Sequence, residues 1–119
     1  MAGGVVQDKS KEFALRIIKL YKHLCNNKKE YVMSKQLLRC GTSIGANICE
    51  ADSSMSKKEF ISKMNISLKE AAESEYWIEL LFRSEYLIQS EYDSIIRECR
   101  EIKALLISII RTSNQNIKK

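Results

Sequence analysis

Proline is missing from the sequence altogether, and glycine occurs only four times, two of those in the adjacent pair Gly3-Gly4. These are the two strongest interrupters of helix, so nothing here forces long helices to break. Histidine occurs once, as His23. A bundle-type di-iron centre draws inward Glu residues and a Glu-x-x-His motif from each of two helices, and no Glu precedes His23 by three, so that chemistry is excluded. His23 and Cys25 do not make a thiol and base pair either, because positions two apart on a helix point in different directions and no third member is evident. Gly41-x-x-x-Gly45 lacks the Lys-Ser/Thr ending of a phosphate-binding loop. The four cysteines, Cys25, Cys40, Cys49 and Cys99, show no Cys-x-x-Cys spacing and are expected as buried thiols rather than disulfides or metal ligands. The longest apolar run, residues 104–110, is well short of the roughly 20 residues of a bilayer span. Met1 to Asp8 has neither the basic start nor the apolar core of a signal peptide. The expectation is a cytoplasmic, non-enzymatic protein with no catalytic residue, no cofactor, no metal and no membrane association.

What is present is amphipathic helix. With 119 residues, 45% hydrophobic and 29% charged, the chain suits one folded domain spanning residues 1–119, with flexible ends expected at about 1–7 and 114–119. A first helix is predicted from Asp8 or Ser10, either of which can cap it, to about Asn26, with Phe13, Ile17, Leu20, Tyr21 and Leu24 facing the core. Residues 26–30 are polar and turn-prone. Ser56-Lys-Lys-Glu59 fits a capping box, in which Ser56 accepts from the Glu59 N–H and Glu59 reaches back. The third helix follows, to about Arg83, with Phe60, Met64, Leu68, Ala71, Ile78, Leu81 and Phe82 on its apolar side. Glu75 falls in that stripe and needs a partner. Folding the chain back near Gln89 brings Lys103 level with it, so a Glu75–Lys103 pair is predicted. Ser90 is the expected cap of a fourth helix carrying Ile95, Ile96, Cys99, Ile102, Leu106, Ile109 and Ile110. Four helices with short connections close most simply as an all-α, antiparallel up-down-up-down four-helix bundle.

The second helix, residues 34–52, has two specified faces. At about 100° per residue, Leu37, Gly41, Ile44 and Ile48 align in an apolar stripe, and Gln36, Arg39, Ser43, Asn47 and Glu50 in a polar one. The two glycines cost about 1 kcal/mol each relative to alanine in a helix, which close approach of another helix explains. The polar stripe, together with Glu75, reads as an assembly seam to neighbouring helices or subunits.

Net charge is +5 and is unevenly placed: residues 1–60 hold 11 Lys/Arg against 6 Asp/Glu, and residues 61–119 hold 9 against 9. Such asymmetry favours an acidic partner. Lys9, Arg16, Lys19 and His23 form a stripe on the first helix that serves either as a solvated face or as a phosphate-facing surface. Tyr76-Trp77 and the tyrosines Tyr86 and Tyr92 around the last loop read as core or interface, with base stacking as the other use of such rings.

Gln36-Leu37, Arg39, Ser43-Ile44, Asn47-Ile48 and Glu50, then Ser56-Lys-Lys-Glu-Phe60, then Ile66-Ser-Leu-Lys-Glu-Ala71 with Glu73, Glu75, Tyr76 and Trp77, resemble the four-helix bundle protein family. That family includes proteins encoded in intervening sequences of bacterial large-subunit ribosomal RNA genes and the accessory variability determinant of retroelements. The chain departs from the family at Leu38, where a second basic residue is frequent, and at Gly45, where proline is frequent. The resemblance implies a homopentameric ring whose basic surface, in the retroelement relatives, engages reverse transcriptase and nucleic acid. The expected function is a homo-oligomeric accessory protein binding RNA, DNA or a ribonucleoprotein, with Lys9, Arg16, Lys19, Lys22, Lys35 and Arg39 as phosphate contacts. The alternative is a structural protein–protein adaptor without nucleic-acid binding.

Overall fold

The computed structural model describes residues 4–118, arranged as α1 (Gly4–Lys28), α2 (Met33–Asp52), α3 (Lys57–Arg83) and α4 (Gln89–Lys118). Its extents are 51 × 21 × 19 Å, one long helix by about two helix diameters each way, as an all-α four-helix bundle requires. Side-chain pairings set the directions. Cys25 meets Ser34, and Gln7 meets Cys49; Arg39 meets Glu70 and Glu73, and Glu50 meets Lys63; Glu75 meets Arg100 and Lys103; Lys9 meets Glu101, and Arg16 meets Glu98. In the first, second and fourth of these seams one helix number rises as the other falls, so those neighbours run antiparallel, and α3 and α4 are joined by a short turn.

The predicted core faces are largely the buried ones. Phe13, Ile17, Leu24, Leu37, Ile44, Ile48, Met64, Ile78, Leu81, Ile102 and Leu106 are all enclosed, with Phe60, Leu68, Phe82 and Ile109 partly buried against them. At the centre of the α1–α2 interface sit the two helical glycines. A Cβ on Gly41 would lie 3.0 Å from both Cγ1 and Cγ2 of Ile17, and one on Gly45 would lie 3.1 Å from the Ser10 hydroxyl. Close helix approach is therefore the reason for both glycines.

Several local expectations are corrected. Neither Asp8 nor Ser10 caps α1, which is already helical at Gly4; Ser10 is buried and donates to the Gln7 carbonyl at 2.9 Å. Val6 is buried too, so residues 4–7 of the end expected as flexible are helical and anchored by an apolar side chain; residues 1–3 lie outside the described part. At the other end α4 continues to Lys118, with Ser113 buried, so the end expected as flexible over 114–119 is helical as far as it is described; residue 119 lies outside the described part. Ser90 is inside α4 rather than its cap, and Glu91 instead accepts from the Ile88 N–H at 3.0 Å. Ser56 does cap α3 by accepting from the Glu59 N–H at 3.1 Å, but the Glu59 carboxylate reaches one residue further back, to the Met55 N–H at 3.2 Å. Cys40 and Cys99 are buried, Cys25 is partly so, and Cys49 is exposed, against the expectation of four buried thiols; all four are free.

The start of α2 is solved in a way the sequence pattern did not indicate. Its N-cap, Val32, has no side-chain oxygen to offer. Glu30 takes over that role: its carboxylate accepts from the N–H groups of Val32, Met33 and Ser34 at 3.0, 2.9 and 2.7 Å. These are donors that a helix start otherwise leaves unpaired. Burial of Glu30 favours its neutral form, but the Met33, Ser34 and Val32 hydrogen bonds outweigh it and hold the carboxyl below its usual range.

The predicted Glu75–Lys103 pair is present at 2.6 Å, and Arg100 Nε adds a second bond at 2.7 Å. Hydrogen bonds from Arg100 and then Lys103 hold the Glu75 carboxyl below its ordinary range.

Two outcomes follow. Gly41→Ala should lower stability by about 1–2 kcal/mol in urea unfolding, because overpacking against the enclosed Ile17 exceeds the helix-propensity gain of at most about 1 kcal/mol. Glu30 and Glu75 both have folded-state pKa values below the unfolded value of about 4.3, so the unfolded chain takes up their protons first. Their contribution is complete above that pH and is lost as pH falls through the folded values. Thermal melts between pH 3 and 7 should show this acid loss, and Glu30→Gln should show less of it.

Candidate nucleic-acid interface

Between Arg16 and Arg39 the sequence holds seven Lys/Arg and a single carboxylate, Glu30. This stretch comprises the second half of α1, the connection and the first turns of α2. In the fold it forms one corner of the bundle, at the end shared with the α3–α4 connection. Because the Glu30 side chain is turned inward as the α2 cap, it does not offset the positive charge outside. Lys19, Lys22, Lys28, Lys29 and Lys35 are all exposed, and none of them forms an ion pair among the described residues. The α3–α4 side of the same end carries the exposed acids Glu85, Glu91 and Asp93 beside the exposed cation Arg83, so positive charge predominates on α1, α2 and their connection.

The six predicted phosphate contacts thus divide. Lys19, Lys22 and Lys35 belong to the lysine corner. Lys9 and Arg16 instead point to α4, Lys9 at 3.4 Å from Glu101 and Arg16 at 2.5 Å from Glu98 and 2.8 Å from the Ser94 hydroxyl. Arg39 binds Glu70 at 3.3 Å and also Glu73, both on α3. Of the stripe on α1, therefore, two members close the α1–α4 seam. There a shallow groove of about 220 Å³ is lined by Arg16, Lys19, Leu20, His23, Leu87, Glu91 and Ile95.

Two members of the polar stripe of α2, Arg39 and Glu50, meet α3 inside one chain. Arg39 meets Glu70 and Glu73, and Glu50 accepts from Lys63 at 2.9 Å. Ser43 and Asn47 are partly buried and donate to carbonyls of their own helix, those of Arg39 and Ser43. Gln36 is exposed. Glu75 belongs to the α3–α4 seam, as described above.

Lys28 and Lys29 were not among the predicted contacts, although their signal was available: they sit in the one long stretch with a single acid. The geometry of their turn was not legible. Lys29 has φ 56°, a left-handed conformation that ends α1, and the Glu30 N–H then reaches back to the Leu24 carbonyl at 3.0 Å. Tyr31 and Val32, next in the connection, are left 56% and 71% exposed. The other aromatics are more enclosed: Phe82 stacks on Tyr92 at 4.1 Å, and the Trp77 indole N–H donates to Glu73 at 3.1 Å, with only Tyr76 comparably open.

Cys40 and Cys99 offer no reactive thiol. Burial pushes them up to about 11 and about 12 respectively, so both remain protonated at neutral pH. Among the described residues no group of three His, Cys, Asp or Glu side chains is placed to hold a metal ion, and no helix is long and apolar enough to cross a membrane.

A family model for the 23S rRNA-intervening sequence protein matches residues 5–108. Among solved structures, the chain is similar to a protein of unknown function from the S23 ribosomal protein family of Bacteroides thetaiotaomicron. The two are 59% identical, with a TM-score of 0.91 over 93% of this chain and 99% of that one. No curated protein matches. With nearly all of its four helices inside the matched region, the chain belongs to the 23S rRNA-intervening sequence protein family.

Proposed function

We propose that this chain is a non-enzymatic, homo-oligomeric accessory protein that binds nucleic acid, free or within a ribonucleoprotein, through the lysine corner of α1 and α2. The observation that carries the reading is a run of unpaired positive charge: five exposed lysines on α1, α2 and their connection, none in an ion pair among the described residues, while Glu30, the one carboxylate within that stretch of sequence, is bonded to backbone N–H groups. Phosphate is the partner that such a surface serves best, since each lysine engaged releases a counterion. Protein–protein interfaces, by contrast, are depleted in lysine. Assembly is supported by large apolar side chains left outside the monomer core on three helices: Leu15 of α1, Ile66 and Tyr76 of α3, and Ile107 of α4. Contact with further copies would cover them, and five copies are expected from the family resemblance.

With about five phosphate contacts per protomer, log affinity should fall with log salt at a slope of about −3.5 on single strands and −4.5 on duplex. Affinity is then about a hundredfold or more weaker at 200 mM salt than at 50 mM. Replacing Lys22, Lys28, Lys29 and Lys35 with Gln should flatten the slope to about −1, while Lys9→Gln should change it little. A filter-binding titration without salt-sensitive affinity for any RNA or DNA overturns the reading. Light scattering should give about five times the 13.7 kDa chain mass, and a monomer would overturn the assembly.

A further inference from the structure

We propose that the α1–α2 turn recognises single-stranded nucleic acid, with Tyr31 stacking on one unpaired base while Lys28, Lys29 and Lys35 hold the phosphates on either side. This rests on the nucleic-acid reading above and narrows it to a class of ligand.

Three features of the turn converge on it. The first is the exposure of an aromatic ring: Tyr31 stands 56% exposed beside Val32 at 71%. In a duplex the base faces are covered by their neighbours, so a ring has nothing to stack on; an unpaired strand offers a face at every base. The second is the neighbourhood of the ring. Lys28, Lys29 and Lys35 are exposed around it, and Glu30, the one acid that could repel a phosphate there, is buried. A positive track interrupted by an aromatic platform is the arrangement that single-strand binders use.

The third feature is rigidity. The Glu30 carboxylate is tied to three N–H groups, its carbonyl accepts from the Ser34 hydroxyl at 2.8 Å, its own N–H is bonded to Leu24, and the Gln36 N–H returns to the Val32 carbonyl at 3.3 Å. The backbone that carries Tyr31 is therefore already ordered before any ligand arrives, which lowers the entropic cost of binding. The same interlock explains why the ring faces outward: with Glu30 turned in and Val32 leading into the helix, Tyr31 lies on the outer side of a closed turn.

The test is fluorescence anisotropy on the full chain with labelled oligouridine, oligothymidine and a duplex of equal length at fixed low salt. Wild type should bind both single strands more tightly than the duplex. Tyr31→Ala should weaken single-strand binding by about tenfold or more, with an unchanged salt slope and unchanged duplex affinity. Tyr31→Phe, which keeps the ring, should bind as wild type does. Because Tyr31 lies on the surface, both variants should retain the helical circular dichroism of the parent. Wild-type affinity in Tyr31→Ala, or equal loss on duplex and single strand, overturns the stacking proposal while leaving phosphate binding by the lysines standing. Failure of wild type to bind any of the three probes overturns the underlying reading as well.

Discussion

A helix that begins without a side-chain cap leaves its first backbone N–H groups to find other acceptors, and in α2 that requirement falls on one carboxylate. Glu30 meets it from two to four residues upstream, inside a connection of four residues. Because the connection is so short and so completely bonded, it fixes where α2 starts relative to the end of α1. That register is what places Gly41 opposite Ile17 and Gly45 opposite Ser10, the two points at which the helices come closest. Were α2 to begin one residue later, bulky positions would rotate about 100° into that contact. The cap, the hairpin and the close packing are thus consequences of one another.

The same close packing determines where charge accumulates. Three of the four seams of the bundle contain cross-helix ion pairs: Arg39 and Lys63 join α2 to α3, Arg100 and Lys103 join α4 to Glu75, and Lys9 and Arg16 join α1 to α4. The α1–α2 seam holds none among the described residues. It is sealed instead by glycine against side chain and by small polar contacts, such as Cys25 with Ser34 at 3.8 Å. Pairs this exposed add little stability individually, but they do neutralise. Where backbone proximity replaces them, Lys19, Lys22, Lys28, Lys29 and Lys35 of α1, α2 and their connection are left without a cross-helix partner among the described residues.

How much of this the sequence discloses depends on the range over which each feature is encoded. Periodicity is local and repeated, so the four helices, the stripe Leu37-Gly41-Ile44-Ile48 and most of the core were legible. The Ser56 cap spans three residues and was legible for the same reason. Glu75 with Lys103 was legible because an apolar stripe that admits one carboxylate names its own problem, and a single fold-back supplies the cation. The α4 partners of Lys9 and Arg16 were not legible because they lie more than 80 residues away, and nothing local distinguishes a solvated cation from an interhelical one. Glu30 was missed for a different reason. In a run of Asn and Lys it looks like another solvated turn residue, and only the absence of a cap at Val32 gives it another task.

That task bears directly on what the corner can bind. A solvent-facing Glu30 among Lys28, Lys29 and Lys35 would weaken the field at the turn and repel an approaching phosphate at the range of a few ångströms where repulsion is strongest. Turned inward, it is still ionised, since the N–H donors around it favour the charged form, but its charge is spent on the positive end of α2 rather than on the surface lysines. Capping and exposure of positive charge are therefore coupled in one side chain. Replacing Glu30 with a residue that caps less well loosens the turn that presents Tyr31, and moving the carboxylate outward to the tip silences the lysines. A sequence that keeps the acid at position 30, and no other between Glu12 and Glu50, meets both conditions at once.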